Sequence, residues 1–351
     1  MQPSSMQPSD WHFVRKVLIV MVAAAIGYAL FRLSHVLMLV FAAILLAVLL
    51  CALRDLIHRW TRAPQPLALA TAVLFCTAVV AGFLYLFGVQ LVAQVQQVAM
   101  LLPGAIDSLA AWLGMEWRLD QWDWQQALSY FEGLGVGSAL GYGTTLAGLV
   151  ADVTIVLASA VFLAVNPGLY LRGASLLFPR SRRALFVQTM QETGQALRLW
   201  LGGQLLVMLG VALLSWAAYA AIGLPSSGAL ALIAGLADFV PFVGPILGAI
   251  PALVMAATQS MQALLITLGA VVVIQQLESY VMMPLVQKHA VKMPPFLGVI
   301  SIVVFGTLFG VMGVLLAVPL AVAIMVLVQR LWVNTALDND IEVIGQESEE
   351  A

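Results

Sequence analysis

Four polar side chains that interrupt long apolar runs are the residues of this sequence best suited to chemistry. Asp238 stands three residues before Pro241, in a run that holds no other charge. Glu278 follows Gln275, and a spacing of three residues places both on one face of a helix. Gln204 lies in an earlier run. If these runs cross a membrane, such polar groups mark a pathway, so we predict that they bind a polar solute, a monovalent cation or a proton.

Each of the two acids also has a plainer structural interpretation. The carboxylate of Asp238 could cap backbone N–H groups freed by the break at Pro241, a role compatible with binding. Glu278 could reach the interface from the end of its run. Asn166 and Asp152 are weaker candidates, and Asp152 fits a position at the outer interface.

The composition requires a membrane. Of 351 residues, 62% are apolar and 9% are charged, which is too few charged groups to cover the surface of a soluble protein. The net charge of −2 provides no positive electrostatic field that would attract a polyanion, so we expect no nucleic-acid partner. Cys51 and Cys76 lie inside apolar runs, which disfavours disulfides and zinc. We expect a lipid bilayer as the surroundings, and no metal or cofactor.

The sequence predicts an all-α integral membrane protein, because about eight runs have the length and apolarity of membrane helices. The first two are joined by a short polar link at residues 32–35, which indicates a helical hairpin. The runs are Val17–Phe31, Val36–Leu53, Leu67–Val89, Thr145–Val165, Trp200–Ile222, Ser226–Ala257, Ala263–Met283 and Phe296–Val328.

Two of these runs are too long for one span and are broken near the middle. Each half is too short to cross the hydrocarbon core and each whole is too long, so both are either kinked single spans or re-entrant hairpins. Proline and glycine disfavour a continuous helix at these points. The predicted break and gating residues are Pro241, Gly244 and Pro245 in the first run, and Gly310, Gly313 and Pro319 in the second.

The basic residues favour hairpins. With two hairpins, all of the 15 basic residues except Arg32 and Arg118 face the cytoplasm, whereas eight single spans also leave Lys288 and Lys292 outside. We therefore expect six full spans plus two re-entrant helical hairpins in an inverted repeat, with cytoplasmic termini. Secondary transporters build midplane sites this way, so we expect the two hairpin tips to meet near the midplane.

The chain divides into five parts on these grounds. Residues 1–89 hold helices 1–3, and residues 90–144 form an external amphipathic segment rich in tryptophan, for which a soluble subdomain is the alternative. Residues 145–199 hold the fourth span and a basic cytoplasmic loop. Residues 200–330 form the transport core, and residues 331–351 form an acidic cytoplasmic tail.

Catalytic motifs are missing from the sequence, which predicts that the protein is not an enzyme. It has no phosphate-binding loop, no His-Glu-x-x-His pair and no nucleophile elbow. Gly235-Leu-Ala-Asp238 is similar to an intramembrane aspartyl-protease motif, but lacks its second glycine and a partner aspartate.

The C-terminal half resembles the autoinducer-2 exporter (AI-2E) family. The resemblance rests on Gly235-Leu-Ala-Asp-Phe-Val-Pro-Phe-Val-Gly-Pro-Ile-Leu-Gly-Ala-Ile-Pro251, followed in order by Ile274-Gln-Gln-Leu-Glu278, Met283-Pro284 and Gly310-Val-Met-Gly-Val-Leu-Leu-Ala-Val-Pro319. It is close over most of residues 166–330, and over residues 14–165 it rests on the pattern of spans alone. After Glu278 the family commonly has Gly or Asn, whereas this chain has Ser279.

The resemblance implies a homo-oligomeric permease of the bacterial inner membrane. Members of the family are associated with export of autoinducer-2, and others with sodium– or lithium–proton antiport. We therefore expect ion-coupled export of a small polar solute, such as an autoinducer-2-like signal. A cation–proton antiporter and a non-transporting membrane scaffold are the alternatives.

Overall fold

The computed structural model describes residues 32–82, 143–287 and 293–334, together with positions 15, 17, 18, 21, 28 and 85. This part of the chain consists of helices and short turns, without a strand. Several predictions fall outside the described residues and remain predictions: most of the first span, the external segment at residues 90–142, Lys288 and Lys292, and the tail from residue 335.

Ten α-helices are described. Five are long and apolar enough to cross a membrane, and a sixth span results if α3 and α4, which meet at 88°, count as one. The prediction of an all-α multi-pass membrane protein is therefore confirmed. The helices are α1 (Ser34–Thr61), α2 (Gln65–Gly82), α3 (Gly143–Val165), α4 (Pro167–Ser175), α5 (Arg183–Ile222), α6 (Ser227–Ala237), α7 (Gly244–Gln259), α8 (Met261–Leu277), α9 (Met283–Gln287) and α10 (Pro295–Val328).

Local sequence explains where the core helices end. Gly223 ends α5 in the left-handed conformation, with φ of 82°, which a residue without Cβ adopts at little cost. The Ser260 hydroxyl begins α8 by accepting a hydrogen bond from the backbone N–H of Ala263 at 3.0 Å. These two caps separate α5 from α6 and α7 from α8.

The first broken run is an antiparallel helical hairpin formed by α6 and α7. A Cβ on Gly248 would lie 2.8 Å from the Cα of Ala234, and a Cβ on Gly244 would overlap the backbone of Ala237. Further from the tip, Ala231 and Ala252 pack in one core cluster. The two helices therefore run back along each other, in contact over their length.

The second broken run, α10, also reverses direction. Its backbone leaves the helical region at Gly310, where φ is 63° and ψ is −143°, values accessible essentially to glycine alone. A Cβ on Gly313 would overlap the backbone carbonyl of Phe305. Gly298 and Val318 line one cavity, although a straight helix would place them about 30 Å apart. The halves thus form a hairpin that turns at Gly310.

Contacts between polar side chains group the helix ends into two layers. At one end, the Asp55 carboxylate pairs with the Arg54 guanidinium at 2.8 Å and with that of Arg198 at 2.9 Å. At the other, the His35 imidazole lies 3.3 Å from the Asp152 carboxylate. Residues predicted to share a side of the membrane therefore meet in space. The inverted-repeat relation itself, and the side that each layer faces, remain predictions.

The main core lies where α5 crosses α1 and the C-terminal half of α10. Trp200 and Leu197 of α5 pack there with Leu45 of α1 and Val322 of α10. Phe239, at the tip of the first hairpin, joins the rim of this cluster and contacts Trp200 edge-on, with ring centroids 5.9 Å apart. This contact fixes the hairpin tip against α5.

Candidate functional site

A cavity of about 340 Å³ lies between α5, the tip of the first hairpin, the end of α8 and the base of the second hairpin. Gln204 in its wall stands six residues, or about 9 Å, along α5 from the ion-paired Arg198, so the cavity lies inside the apolar layer. Its lining residues are Trp200, Gly203, Gln204, Val207, Pro241, Phe242, Pro245, Gln275, Glu278, Ser279, Met283, Pro284, Met293, Pro294, Gly298 and Val318.

Glu278 and Gln275 share this wall, as their spacing predicts. The side-chain amide of Gln275 donates a hydrogen bond to Oε2 of Glu278 at 3.2 Å. Glu278 begins a π-helical turn over Glu278–Met282, in which the N–H of Met283 bonds to the carbonyl of Glu278. Pro284 follows and has no N–H to continue the α-helical pattern. Such π turns are rare and concentrate at functional sites.

Gln204 connects the cavity to Asp238. Its side-chain amide donates a hydrogen bond to the backbone carbonyl of Asp238 at 2.7 Å, and the Gln204 side chain is buried. Asp238 is the residue after α6, where the last carbonyls of a helix lack intrahelical donors. Gln204 therefore satisfies the carbonyl group at the end of α6 and joins α5 to the tip of the first hairpin.

The carboxyl group of Asp238 is fully buried and unpaired. Its exposed fraction is 0%, and neither oxygen accepts a hydrogen bond from any residue that the structure describes. The capping interpretation is therefore wrong: Asp238 ends α6, and the free N–H groups belong to the start of α7, six residues later. Glu278 is near enough to interact with it electrostatically. An isolated buried carboxylate is strongly unfavourable, so this group requires a proton or a cation.

The hairpin tip carries a backbone outlier at the cavity. Phe242 has φ of 69°, a value uncommon for any residue with a side chain, and its ring is half exposed beside Gly298. Strained residues of this kind persist where the surroundings determine them, and they cluster at ligand sites and switch regions. The tip is thus held in a conformation that the local sequence alone would not favour.

The structure brings together only part of the predicted site. Gln204, Gln275, Glu278, Pro241 and Pro245 line the cavity, and Gly244 lies behind them in the hairpin contact.

The second tip lies elsewhere. Gly310, Gly313 and Pro319 are absent from the cavity wall, which includes Gly298 and Val318 instead. Residues of the two tips therefore do not line this cavity together. The expected meeting of the tips near the midplane remains a prediction: Phe239 of the first tip and Phe309 beside the turn of the second pack against the same core cluster.

The two weaker candidates have structural roles. The Asn166 side chain accepts a hydrogen bond from the N–H of Leu169 at 3.3 Å and so caps α4, where Pro167 breaks the span. Asp152 pairs with His35, away from the cavity.

A second cavity, of about 650 Å³, lies between α1, α4, α5 and α10. It is larger, but its walls are mostly apolar, and its charged groups Arg54, Asp55 and Arg198 pair with one another. The first cavity is the better candidate because its acid, Glu278, forms no ion pair with any residue that the structure describes.

Sequence patterns did not single out the apolar side of the site. Trp200, Phe242 and Met283 line the cavity but are ordinary members of apolar runs, and Met293 lies in the link between the last two runs. Pro284 is the one local signal that could have indicated the π turn. Within the described residues, no three His, Cys, Asp or Glu side chains come together as a metal site would require.

Comparison with known proteins identifies the family of this chain. Residues 17–332 match the family described as "AI-2E family transporter". The chain is 29% identical over 210 residues to "Putative transport protein YrrI" of Bacillus subtilis (strain 168), which covers 59% of this chain and 58% of that protein. It is 28% identical over 266 residues to "Putative transport protein MT0215" of Mycobacterium tuberculosis (strain CDC 1551 / Oshkosh), which covers 73% of this chain and 72% of that protein. Because the family match extends over most of the chain, this protein belongs to the AI-2E family of transporters.

Proposed function

We propose that this protein is an ion-coupled secondary transporter of the bacterial inner membrane, which exports a small polar solute through the 340 Å³ cavity. An autoinducer-2-like signal is a solute of suitable size and polarity. The observation that carries the proposal is the fully buried, unpaired carboxyl group of Asp238, whose backbone carbonyl is hydrogen-bonded to Gln204 in the wall of a cavity that also includes Glu278. Cytoplasmic termini and a homo-oligomer are part of this proposal.

The cavity offers a polar solute both anchors and apolar walls. The carboxyl and amide groups of Glu278, Gln275 and Gln204 can accept and donate hydrogen bonds, while Trp200 and Phe242 exclude water and contact carbon atoms. Ligand sites commonly combine a mostly apolar wall with a few placed polar groups. A volume of about 340 Å³ suits a small metabolite.

Asp238 supplies the coupling in this proposal. A cation or proton on its carboxyl group removes the penalty of a bare buried charge, and Gln204 transmits its position to the cavity wall through the Asp238 carbonyl. The hairpin with a cation or proton on Asp238 therefore differs in free energy from the hairpin without one, as coupled transport requires.

A cation–proton antiporter is the second candidate, favoured by the proximity of the two acids, Asp238 and Glu278. In that case Na⁺ or Li⁺ alone dissipates an imposed pH gradient across a proteoliposome membrane, without an organic solute. A scaffold without transport predicts no flux of either kind.

Flux in proteoliposomes tests the proposal. Asp238→Asn keeps the shape of the side chain but cannot carry the charge, so we expect coupled flux to be abolished while the protein remains folded. Asp152→Asn is the matched control, because this acid lies outside the cavity and pairs with His35; it should retain flux. Undiminished flux in Asp238→Asn would overturn the coupling role.

A further inference from the structure

A second, much smaller chamber continues the cavity along the same helices. It has a volume of about 10 Å³, the space of roughly one water molecule. Gln275 and Pro245 line both this chamber and the larger cavity. Only these side chains and their apolar neighbours therefore separate the two spaces.

The small chamber is buried, and polar side chains form part of its mostly apolar wall. Ser215 and Tyr219 line it from α5, with exposed fractions of 2% and 1%, and their side chains interact across one helical turn. Buried polar groups at membrane depth mark pathways by default.

One face of α5 lines both spaces in sequence. Val207 borders the large cavity, Val211 borders the small chamber one turn further on, and Ser215 and Tyr219 follow at the same four-residue spacing. The chamber therefore lies deeper along α5, away from the ion pair of Arg198.

Apolar side chains close the passage between the two spaces. Val207, Val211 and Ile274 form a buried cluster there, with exposed fractions of 1%, 3% and 6%. Apolar constrictions of this kind gate pores by excluding water. Gln275 adjoins Ile274 and is the polar residue that faces both sides of the constriction.

We propose that the small chamber is the far limb of the transport pathway and that Gln275 is its gate, held closed by the hydrogen bond to Glu278. This inference rests on the proposed function, since it assigns the path that the solute takes. A solute or cation that engages the Glu278 carboxylate competes for the oxygen that binds Gln275. Occupancy of the cavity then releases the gate, and the pathway opens past Val211 and Ile274.

Thiol labelling tests the gate without requiring flux, so a failure here is distinct from a failure of the proposed function. Cys51 and Cys76 are first replaced by alanine, and Ser215→Cys places a thiol in the small chamber. The probe is 2-aminoethyl methanethiosulfonate, a cationic reagent that reaches a thiol through water. The measured quantity is the labelling rate of purified protein in liposomes.

Gln275→Ala should raise the labelling rate of Ser215→Cys by about tenfold, because it removes the hydrogen bond to the Glu278 carboxyl group that holds the gate closed. Gln276→Ala is the matched control: it makes the same chemical change at the next position, whose side chain is exposed. It should leave the rate unchanged.

A second reporter covers the case in which Ser215→Cys does not fold. Ala249→Cys lines the same chamber from α7 and should show the same response. Equal labelling rates with and without Gln275→Ala would contradict the role of Gln275 as a gate. An equal rise with Gln276→Ala would contradict it as well.

Discussion

Gly248→Ala should destabilise the first hairpin, whereas Gly269→Ala should stabilise the protein. A Cβ on Gly248 would lie 2.8 Å from the Cα of Ala234 and 3.2 Å from its carbonyl oxygen, both of which are backbone atoms that cannot rotate away. A Cβ on Gly269, within α8, meets nothing within 4 Å. The two substitutions add the same methyl group to a helix, so the comparison isolates the contact between α6 and α7.

The magnitude follows from the geometry. Carbon atoms pack at about 3.5–4.0 Å, so the hairpin helices must separate by about 1 Å to admit the methyl group. Overpacking of this kind costs about 1–3 kcal/mol, against a gain of about 0.5–1 kcal/mol for replacing glycine in a helix. We therefore expect Gly248→Ala to lose about 1–2 kcal/mol and Gly269→Ala to gain up to about 1 kcal/mol.

Thermal unfolding of the purified protein in detergent, followed by tryptophan fluorescence, measures both effects. In a chain of this length 1 kcal/mol corresponds to about 1–2 °C in Tm, so the two Tm values should move in opposite directions. Coupled flux should also fall in Gly248→Ala, because the displaced hairpin carries Asp238. A Tm for Gly248→Ala at or above that of the unsubstituted protein would refute the close packing of the hairpin.

Three further substitutions probe other contacts by the same unfolding assay. Gln204→Ala leaves the buried carbonyl of Asp238 without its donor and should cost about 1–3 kcal/mol; an unchanged Tm would contradict that bond. Gly310→Ala forces a side chain into φ of 63° and ψ of −143° and should cost about 1–3 kcal/mol, although its Cβ meets no atom; a neutral result would contradict the turn at this residue. Arg198→Ala removes one of two partners of Asp55 in a half-exposed pair, so its effect should stay below about 1 kcal/mol, and a larger loss would assign this pair a structural role.

The sequence predicted the features of the site that depend on neighbouring residues. Helical periodicity placed Gln275 and Glu278 on one face, and their hydrogen bond confirms it. Proline and glycine marked the breaks near Pro241 and at Gly310, and the chain reverses at both. These features are set by backbone preferences within a few residues, so they do not require knowledge of the packing.

Features that depend on packing were beyond the sequence. The carboxylate of Asp238 was expected to cap backbone N–H groups as one possibility. Helix α6 extends up to this residue, so the acid lies at the carbonyl end of a helix, away from free N–H groups. The cavity joins Trp200 to Gly298, residues that no local pattern connects. The lateral position of each hairpin decides which of its residues face the cavity, and contacts between distant helices fix that position.

Both acids of the site stand where a helix is irregular, and this placement has a physical consequence. Asp238 follows the end of α6, and Glu278 begins the π turn after α8. An acid within a regular helix could change its charge without moving the chain, since the surrounding backbone hydrogen bonds are complete. At a helix end, by contrast, the Asp238 carbonyl depends on a side chain of another helix, Gln204, for its hydrogen bond. Under the proposed function, loading or unloading the adjacent carboxyl group would therefore act on a contact between helices, and a local change of charge would shift a hairpin.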